Sequence, residues 1–440
     1  VSGSILVLGG GLTGLQAAVE LAAADVQAIV VERGPIIGGK RAAALTGTGS
    51  DQLDPRLASV ADEPTITCLT MAELESLSGE DGNFIARVRQ LPRYVTEDCT
   101  RCNHCAPVCP QAVPNEYDAG LTYRKAIHNP FPRTIPNIYA IDIDSCLNMP
   151  PNYLPCQRCV EVCDDKAIHF DITPPDTREL ALAAVIVATG YVDDSEDEQS
   201  SLAEFGYGQS PDVVSSVELQ RMLEDPGPSG GFAIRPSDEG YPDSVLLVLT
   251  RVSASAAWVM SNQLRRLAAQ GVEQVNVLVL AAKGDDPVLE PLHQAAAAAG
   301  IAVDYGLWIG TESADDGKLL ARYARLPGGA DVREQVDLLV LSSEVHPHPE
   351  AAVLAEKLGL DRDPQGYLQA SRPGIYLAGG VLGTVGIQAG AEQASAVVRA
   401  ALQHLKELEP PAGEDTAASG PELQRLEQML HALIRLGDRT

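Results

Sequence analysis

Eight of the nine cysteines in this 440-residue chain lie between Cys99 and Cys163. Four of them form the run Cys99-Thr-Arg-Cys102-Asn-His-Cys105-Ala-Pro-Val-Cys109-Pro110, a C-x2-C-x2-C-x3-C-P pattern. The other four are Cys146, Cys156, Cys159 and Cys163, with nine residues between the first two. A cubane iron–sulfur cluster needs four thiolates around one small inorganic core. Two-residue gaps let one tight loop supply three of them, and the fourth comes from further along the chain. Disulfides belong to exported chains, and structural zinc takes two C-x2-C pairs rather than a third cysteine two residues on. The spacing and the trailing proline therefore predict iron–sulfur chemistry.

In two-cluster arrangements the fourth cysteine of each run crosses to the other cluster. That rule assigns Cys99, Cys102, Cys105 and Cys163 to one [4Fe-4S] cluster, and Cys146, Cys156, Cys159 and Cys109 to a second. The second run is less regular, because its first gap is long and Asp164 stands where the first run has Pro110. If one cluster alone is present, the first run is expected to hold it. His104, His128 and His169 lie near or in this region and read as hydrogen-bonding or surface residues, the cysteines being sufficient as ligands. Cys68 stands apart in apolar surroundings and reads as a buried structural thiol.

These cysteines must be positioned by a scaffold, and the chain announces one at its start. Ser4 to Leu8 is an apolar run typical of a buried parallel strand. Gly9-Gly10-Gly11-Leu12-Thr13-Gly14 follows at once and leads into a helical stretch from Leu15 to Ala24. In this G-x-G-x-x-G pattern Gly9 permits the tight turn, Gly11 lets the backbone approach a pyrophosphate, and Gly14 lets helix and strand pack closely. The next strand, Ala28 to Glu32, ends in an acid placed to bind a ribose hydroxyl. Strand, glycines, helix, strand and terminal acid together predict a dinucleotide site involving Gly9, Gly11, Leu12, Thr13, Gly14, Glu32 and Arg33. Gly38-Gly39-Lys40 adds a second small-residue loop, as in flavoproteins with two dinucleotide-binding domains, and it favours FAD over NAD, with Gly39 and Lys40 as contacts. Ala188-Thr189-Gly190 ends a later strand, and Gly379 and Gly380 end the segment from Gly374 in the same style. The helix opening at Ile387, Gln388 and Ala389 would turn its positive end toward the flavin.

The expected domain order is 1–91 FAD domain, 92–178 cysteine-rich insert, 179–242 FAD domain, 243–364 a second Rossmann-like unit, 365–409 FAD domain, and 410–440 a linker with an amphipathic C-terminal helix. Thr65 to Met71 and Asn83 to Gln90 read as strands; Gly47 to Asp62, Ser313 to Gly317 and Gly328 to Asp331 read as loops. In the second unit Thr250-Arg-Val-Ser-Ala-Ser255 follows the strand at Val245, where a nucleotide domain would place its glycines. No bound NAD(P)H is expected there, so electrons would arrive and leave through protein-borne carriers. The net charge of −28 argues against nucleic acid or an anionic membrane surface as partner. No apolar run reaches the ~18 residues a membrane span needs. The opening residues read as a strand rather than a signal peptide, and thiolate ligands suit a reducing cytoplasm.

Taken together, these features resemble the A-type subunits of heterodisulfide reductases. The resemblance rests on the glycine motif, Pro92-Arg-Tyr-Val before the cysteine run, Val113-Pro-Asn-Glu-Tyr-Asp, Arg124-Lys-Ala-Ile, Gly206-Tyr-Gly, Val213-Val214, Gly227-Pro-Ser-Gly-Gly and Arg235-Pro-Ser-Asp. It implies an α/β, thioredoxin-reductase-like, two-dinucleotide-domain flavoprotein with an inserted ferredoxin-like iron–sulfur domain. It implies FAD and [4Fe-4S] as cofactors, B- and C-like subunits as partners, and a homodimer or a pseudo-dimer with a paralogue. No cysteine-rich segment occurs near residues 48–68 beyond Cys68, and none follows Val245. The short form is similar to those of sulfur oxidisers and sulfate reducers, which implies a place in dissimilatory sulfur metabolism. Two other readings are an NAD(P)H-dependent oxidoreductase resembling the small subunit of glutamate synthase, and a scaffold that docks partner subunits.

Overall fold

The strand Ser4–Leu8 is the hub of the first sheet. It pairs in parallel with Ala28–Val31 on one side and with the second half of Asp176–Val187 on the other. The computed structural model describes residues 3–39, 55–150, 152–171, 176–192, 201–225, 227–281, 286–314, 317–383 and 386–408. Ile66–Leu69 extends the parallel sheet beyond Ala28–Val31, and Ile375–Leu377 pairs in parallel with Val185 to Val187. The first half of Asp176–Val187 turns antiparallel to Asn83–Gln90, which pairs in turn with Ala72–Glu80. Ile5 and Val7 point to one face, under Leu12–Ala23, Pro55–Asp62 and Ile387–Leu408; Leu6 and Leu8 point to the other, under Ala351–Leu358. Ala17 and Ala18 of one helix and Ala394 and Ala401 of another are fully buried, which lets the two helices approach closely.

The second sheet runs Val213–Ser215, Leu338–Leu341, Ser244–Leu249, Gln274–Val279, Val303–Ser313, Leu319–Arg325 and Ala330–Val336. Its first five strands are parallel and its last three form an antiparallel meander. Two strands, Ser244–Leu249 (apolar after its first residue) and Leu338–Leu341, are buried on both faces, as a parallel sheet between helices requires. The architecture is therefore two α/β dinucleotide-type units with a cysteine-rich insert between Asn83–Gln90 and Asp176–Val187.

Two expected boundaries are corrected. Residues 201–242, assigned from sequence to the FAD domain, belong to the second unit: Val213 to Ser215 pair with Leu339 to Leu341, and Leu202 and Phe205 pack in that unit's core. Residues 351–364, assigned to the second unit, belong to the first, because Ala351, Ala355, Leu358 and Leu360 pack against Leu6 and Leu8. The chain crosses between units twice, at Tyr191–Val192 and His346–Pro347, and those two short strands pair with each other. Pro55–Asp62 is a helix rather than loop, and Ala330 and Asp331 begin a strand. Lys40 and the expected C-terminal helix lie outside the described residues.

Candidate functional site

The insert folds around its cysteines. Val95 bridges Ile168, Ile127–His128 pairs antiparallel with Ala140–Ile141, and the Ile141 N–H donates to the Arg93 carbonyl at 3.3 Å. One face of these short pairings carries Val95, Ile127, Ile141 and Ile168, packed against Cys105 and Cys159. Cys105 opens the short helix Cys105–Val108, Cys159 lies in Arg158–Glu161, and the two helices pack together. The two long runs thus meet antiparallel, head against tail.

Two cavities open in this arrangement. One is lined by Cys109, Cys146, Cys156 and Cys159 with Leu147 and Phe170. The other is lined by Cys99, Cys102, Cys105 and Cys163 with Tyr139 and Ile168. Each holds three cysteines from one run and the last cysteine of the other. Ile127 lines both, so it forms the partition between them. Among the described residues no three His, Cys, Asp or Glu side chains converge where a single metal ion would sit. Four cysteines stand around each cavity, the number a cubane cluster takes.

Local backbone explains the cradle. Arg101 and Asn103, between the ligands of the first run, have φ of +62° and +63°. Left-handed residues at this spacing curl the loop into a concavity of N–H groups. The Tyr139 hydroxyl donates to Asn103 Oδ1 at 2.7 Å and fixes that curl. The Ala167 N–H donates to Cys163 Sγ at 3.3 Å. Burial, with neighbouring cysteines adding, pushes the Cys105 thiol up to about 12 and the Cys159 thiol up to about 11. Burial likewise raises Cys146, next to Cys109 and Cys156. Cys68 is also pushed up to about 11, by burial alone, and sits on the strand Ile66–Leu69 away from these groups. Its environment is that of an inert thiol.

The glycine turn lies where Ser4–Leu8, Asp176–Val187 and Ile375–Leu377 end together. Gly9 has φ of +104°, and a Cβ there would meet the Ala188 carbonyl oxygen at 2.4 Å. A Cβ on Gly14 would lie 1.9 Å from the Gly9 carbonyl oxygen, so only glycine lets this helix sit against its strand. A Cβ on Gly11 would meet nothing within 4 Å. Leu12, Thr13 and Gly14 form the first turn of Leu12–Ala23, and Gly11 provides no side-chain cap. An uncapped helix start beside open space leaves N–H groups free to face an anion. Glu32 accepts the Gly10 N–H at 2.8 Å and the Gly34 N–H at 2.7 Å, which holds its carboxylate at the mouth. Gly38 donates to the Gly10 carbonyl at 2.7 Å, and Gly39 packs on Gly11. Thr13 faces Gly379, whose N–H donates to Gln393 Oε1 at 2.8 Å, and Gly380 sits under the Tyr191 ring beside Gly190. Ala188, Thr189 and Gly190 follow directly on the central strand.

Not every sequence candidate joins this cluster. Arg33 pairs with Glu350 at 2.8 Å and with His348 Nε2 at 2.8 Å, tying the loop to the start of Ala351–Leu358. Ile387, Gln388 and Ala389 open the helix Ile387–Leu408, where Gln388 is exposed and donates to Glu392. In the second unit the Thr250 N–H donates to Ser342 Oγ at 2.9 Å, and Ser253 caps Ala254–Ala269 by accepting the Ala256 N–H. That helix start is therefore occupied by its own serine, unlike the open start at Gly11.

Sequence reasoning missed the residues that join the two sites. Arg93 donates to the Pro35 carbonyl, to Thr70 Oγ1 at 3.1 Å and to the Ile138 carbonyl. Burial pushes its guanidinium down to about 10. The Ile37 N–H donates to the Ile135 carbonyl at 2.9 Å, and Phe131 and Tyr117 pack on Ile36. Burial, with Glu116 and Glu32 nearby, raises the Tyr117 phenol. The insert is thus clamped to the Gly34–Gly39 loop that backs the glycine turn. Arg93 and Tyr117 stand in the segments Pro92-Arg-Tyr-Val and Val113-Pro-Asn-Glu-Tyr-Asp that carried the resemblance, where no joining role was read from them. On its other flank the insert meets the second unit, where buried Arg221 donates to Asp118 Oδ1 at 2.9 Å.

Fold and sites define an α/β protein of two dinucleotide-type units with an inserted domain whose eight cysteines line two cavities. No family model matches the chain. It is 32% identical over 397 residues to the A-type iron–sulfur subunit of CoB–CoM heterodisulfide reductase from Methanocaldococcus jannaschii, covering 85% of this chain and 58% of that protein. It is 33% identical over 445 residues to the second A-type iron–sulfur subunit of the same enzyme from Methanopyrus kandleri, covering 92% and 65%. The chain thus spans about three fifths of the length of these relatives. Among solved structures, thioredoxin reductase of Lactococcus lactis aligns over 92% of this chain and 100% of its own, at 12% identity and a TM-score of 0.46. The chain belongs to the A-type subunit family of heterodisulfide reductases.

Proposed function

We propose that this chain is the FAD- and iron–sulfur-carrying electron-transfer subunit of a heterodisulfide-reductase-like complex in dissimilatory sulfur metabolism, working with B- and C-like subunits in the cytoplasm. The observation that carries the reading is the sorting of eight cysteines into two crossed sets of four around two cavities. No helix among the described residues is long and apolar enough to cross a membrane, in keeping with partners that are proteins.

The residues fit both groups. Cys99, Cys102, Cys105 and Cys163 would hold one [4Fe-4S] cluster, and Cys109, Cys146, Cys156 and Cys159 the other. Gly11, Leu12, Thr13 and Gly14 would receive the FAD pyrophosphate on backbone N–H groups of the turn and helix start, and Gly9, whose N–H donates to the Val31 carbonyl at 2.9 Å, would shape the turn beneath it. Glu32 would take the ribose; Gly39, Ala188, Thr189, Gly190, Gly379 and Gly380 would let the cofactor approach the backbone. Ile387, Gln388 and Ala389 would present a helix start. When bound, FAD supplies two-electron exchange and the clusters supply one-electron exchange.

The chain's own contribution is position and potential. Ile127, buried, stands between the two cavities as an apolar spacer. The Ala167 N–H on Cys163 Sγ stabilises negative charge on that sulfur and raises the potential of its site. The Arg93, Ile135 and Phe131 contacts hold the insert at a fixed place against the dinucleotide loop. The capped, glycine-free turn at Thr250 to Ser253 offers no nicotinamide nucleotide a matching cradle. In the assembled complex, Cys102→Ser is expected to abolish flavin reduction by partner subunits while flavin stays bound, followed by flavin absorbance. An unchanged rate would count against the reading.

A further inference from the structure

The two cysteine runs differ in a way that holding a cluster does not require. The first places two residues between its first two cysteines, and the second places nine, from Leu147 to Pro155. No residue from Cys146 to Gln157 is charged, in a chain with 60 acidic residues. The described part of this segment has a fixed shape. Leu154 donates its N–H to the Leu147 carbonyl at 2.8 Å, Tyr153 to Met149 at 3.1 Å, and Asn152 to Met149 at 2.9 Å. The Asn152 side chain donates to the Cys146 carbonyl at 3.2 Å. On the inside, Leu147 lines the cavity of Cys109, Cys146, Cys156 and Cys159. On the outside, Tyr153 is 72% and Leu154 54% exposed, with Asn152 and Pro155 exposed beside them. The other cavity is bordered in sequence by exposed Glu97, Asp98, Asp164 and Asp165; this one has exposed Asp144 before the loop and Arg158 in its lining after it, and the uncharged stretch lies between them.

We propose that the Cys146–Cys156 loop docks a protein electron carrier whose own redox centre lies beside an uncharged, apolar face. This rests on the cluster reading above. Whatever covers Tyr153 and Leu154 lies one loop's thickness from the cavity, and electron transfer falls steeply with separation, so an electron carrier is the occupant this place suits. A basic shuttle protein would find no opposite charge on the loop, whereas an apolar protein face finds a tyrosine and a leucine on a preformed turn, the kind of anchor that carries binding energy at low ordering cost. Each crossing moves one electron, oxidising the donor centre by one and reducing the acceptor by one, with no bond made or broken.

The test uses the full chain with its iron and flavin, and as probe the co-expressed C-like subunit. Wild-type affinity is expected to change less than about threefold between about 0.05 and 0.5 M salt, because no exposed ion pair is involved. The double variant Tyr153→Ala/Leu154→Ala is expected to weaken binding about 30-fold at unchanged iron and flavin content. Tyr153→Asp, which keeps the loop's backbone bonds, should do the same, and Glu97→Gln/Asp98→Asn should leave affinity unchanged. Retained affinity in both loop variants, or a steep loss with salt, overturns the docking proposal and leaves the functional reading standing. No complex with the wild-type chain overturns the partner reading and this proposal with it.

Discussion

Two glycines only three residues apart should respond to the same substitution in opposite ways. At Gly11 a methyl group meets nothing within 4 Å, and the backbone is extended at φ −77° and ψ −179°. Gly11→Ala therefore costs the folded chain little. Alanine caps a helix worse than glycine by roughly 0.5 to 1 kcal/mol, and this is offset by ~0.4 to 1 kcal/mol from a less flexible unfolded chain. The methyl group would occupy the open space the pyrophosphate needs, and FAD affinity should fall at least ~10-fold, about 1.4 kcal/mol. At Gly14 the methyl group would stand 1.9 Å from the Gly9 carbonyl oxygen, so helix and strand must part by more than an ångström. Overpacking of that kind costs ~1 to 3 kcal/mol, against ~1 kcal/mol gained in helix propensity. Gly14→Ala should thus lower stability by up to ~2 kcal/mol and also lose flavin. The assay is urea denaturation of flavin-free protein alongside titration with FAD followed by fluorescence quenching. Equal destabilisation by both variants, or wild-type FAD affinity in Gly11→Ala, would refute the reasoning.

Three further outcomes follow from the same geometry. Cys109→Ser and Cys159→Ser should each remove the same cluster signal, and Cys102→Ser and Cys163→Ser the other, each halving the iron to about four per chain; an EPR spectrum pairing Cys109 with Cys102 would contradict the crossed assignment. Burial pushes the His128 imidazole down to about 4, so the unfolded chain binds more protons below its ordinary ~6.5 and stability falls as pH falls through that window. Between pH 8 and 5.5 the loss is about 1.4 kcal/mol, and His128→Leu should flatten the pH dependence of urea midpoints by that amount. NADH added to the isolated flavin-loaded chain should leave the flavin absorbance unbleached, because Ser253 and Thr250 occupy the turn where a nucleotide cradle would lie; rapid bleaching would favour a nicotinamide-dependent enzyme.

The parts of the molecule set by short spacing were legible in the sequence. Gly9, Gly11 and Gly14 each have a distinct steric reason that the spacing alone announces, and the crossed cysteine sets correspond to the two cavities. Parts set by long-range pairing were not. Ala72–Glu80 alternates polar and apolar residues with acids on its open face, and its best local signal, Asp81-Gly82 before Asn83–Gln90, is a hairpin turn that went unread. The meander from Val303 to Val336 was hidden because its last strand, Ala330–Val336, is largely polar and its turns look like loop. Val213 to Ser215 carries no mark of which sheet it joins, and only its pairing with Leu339 to Leu341 decides this. The docking of Arg93, Phe131 and Ile135 on the dinucleotide loop likewise depends on residues distant in sequence.

The central claim is that one chain holds two cubane clusters and one flavin in the places described. Anaerobic purification of the full chain followed by iron, acid-labile sulfide and FAD quantitation tests it most directly. The account predicts about eight irons, about eight sulfides and about one FAD per chain. Zinc in place of iron, iron near zero, or absence of flavin from gently purified protein would contradict it.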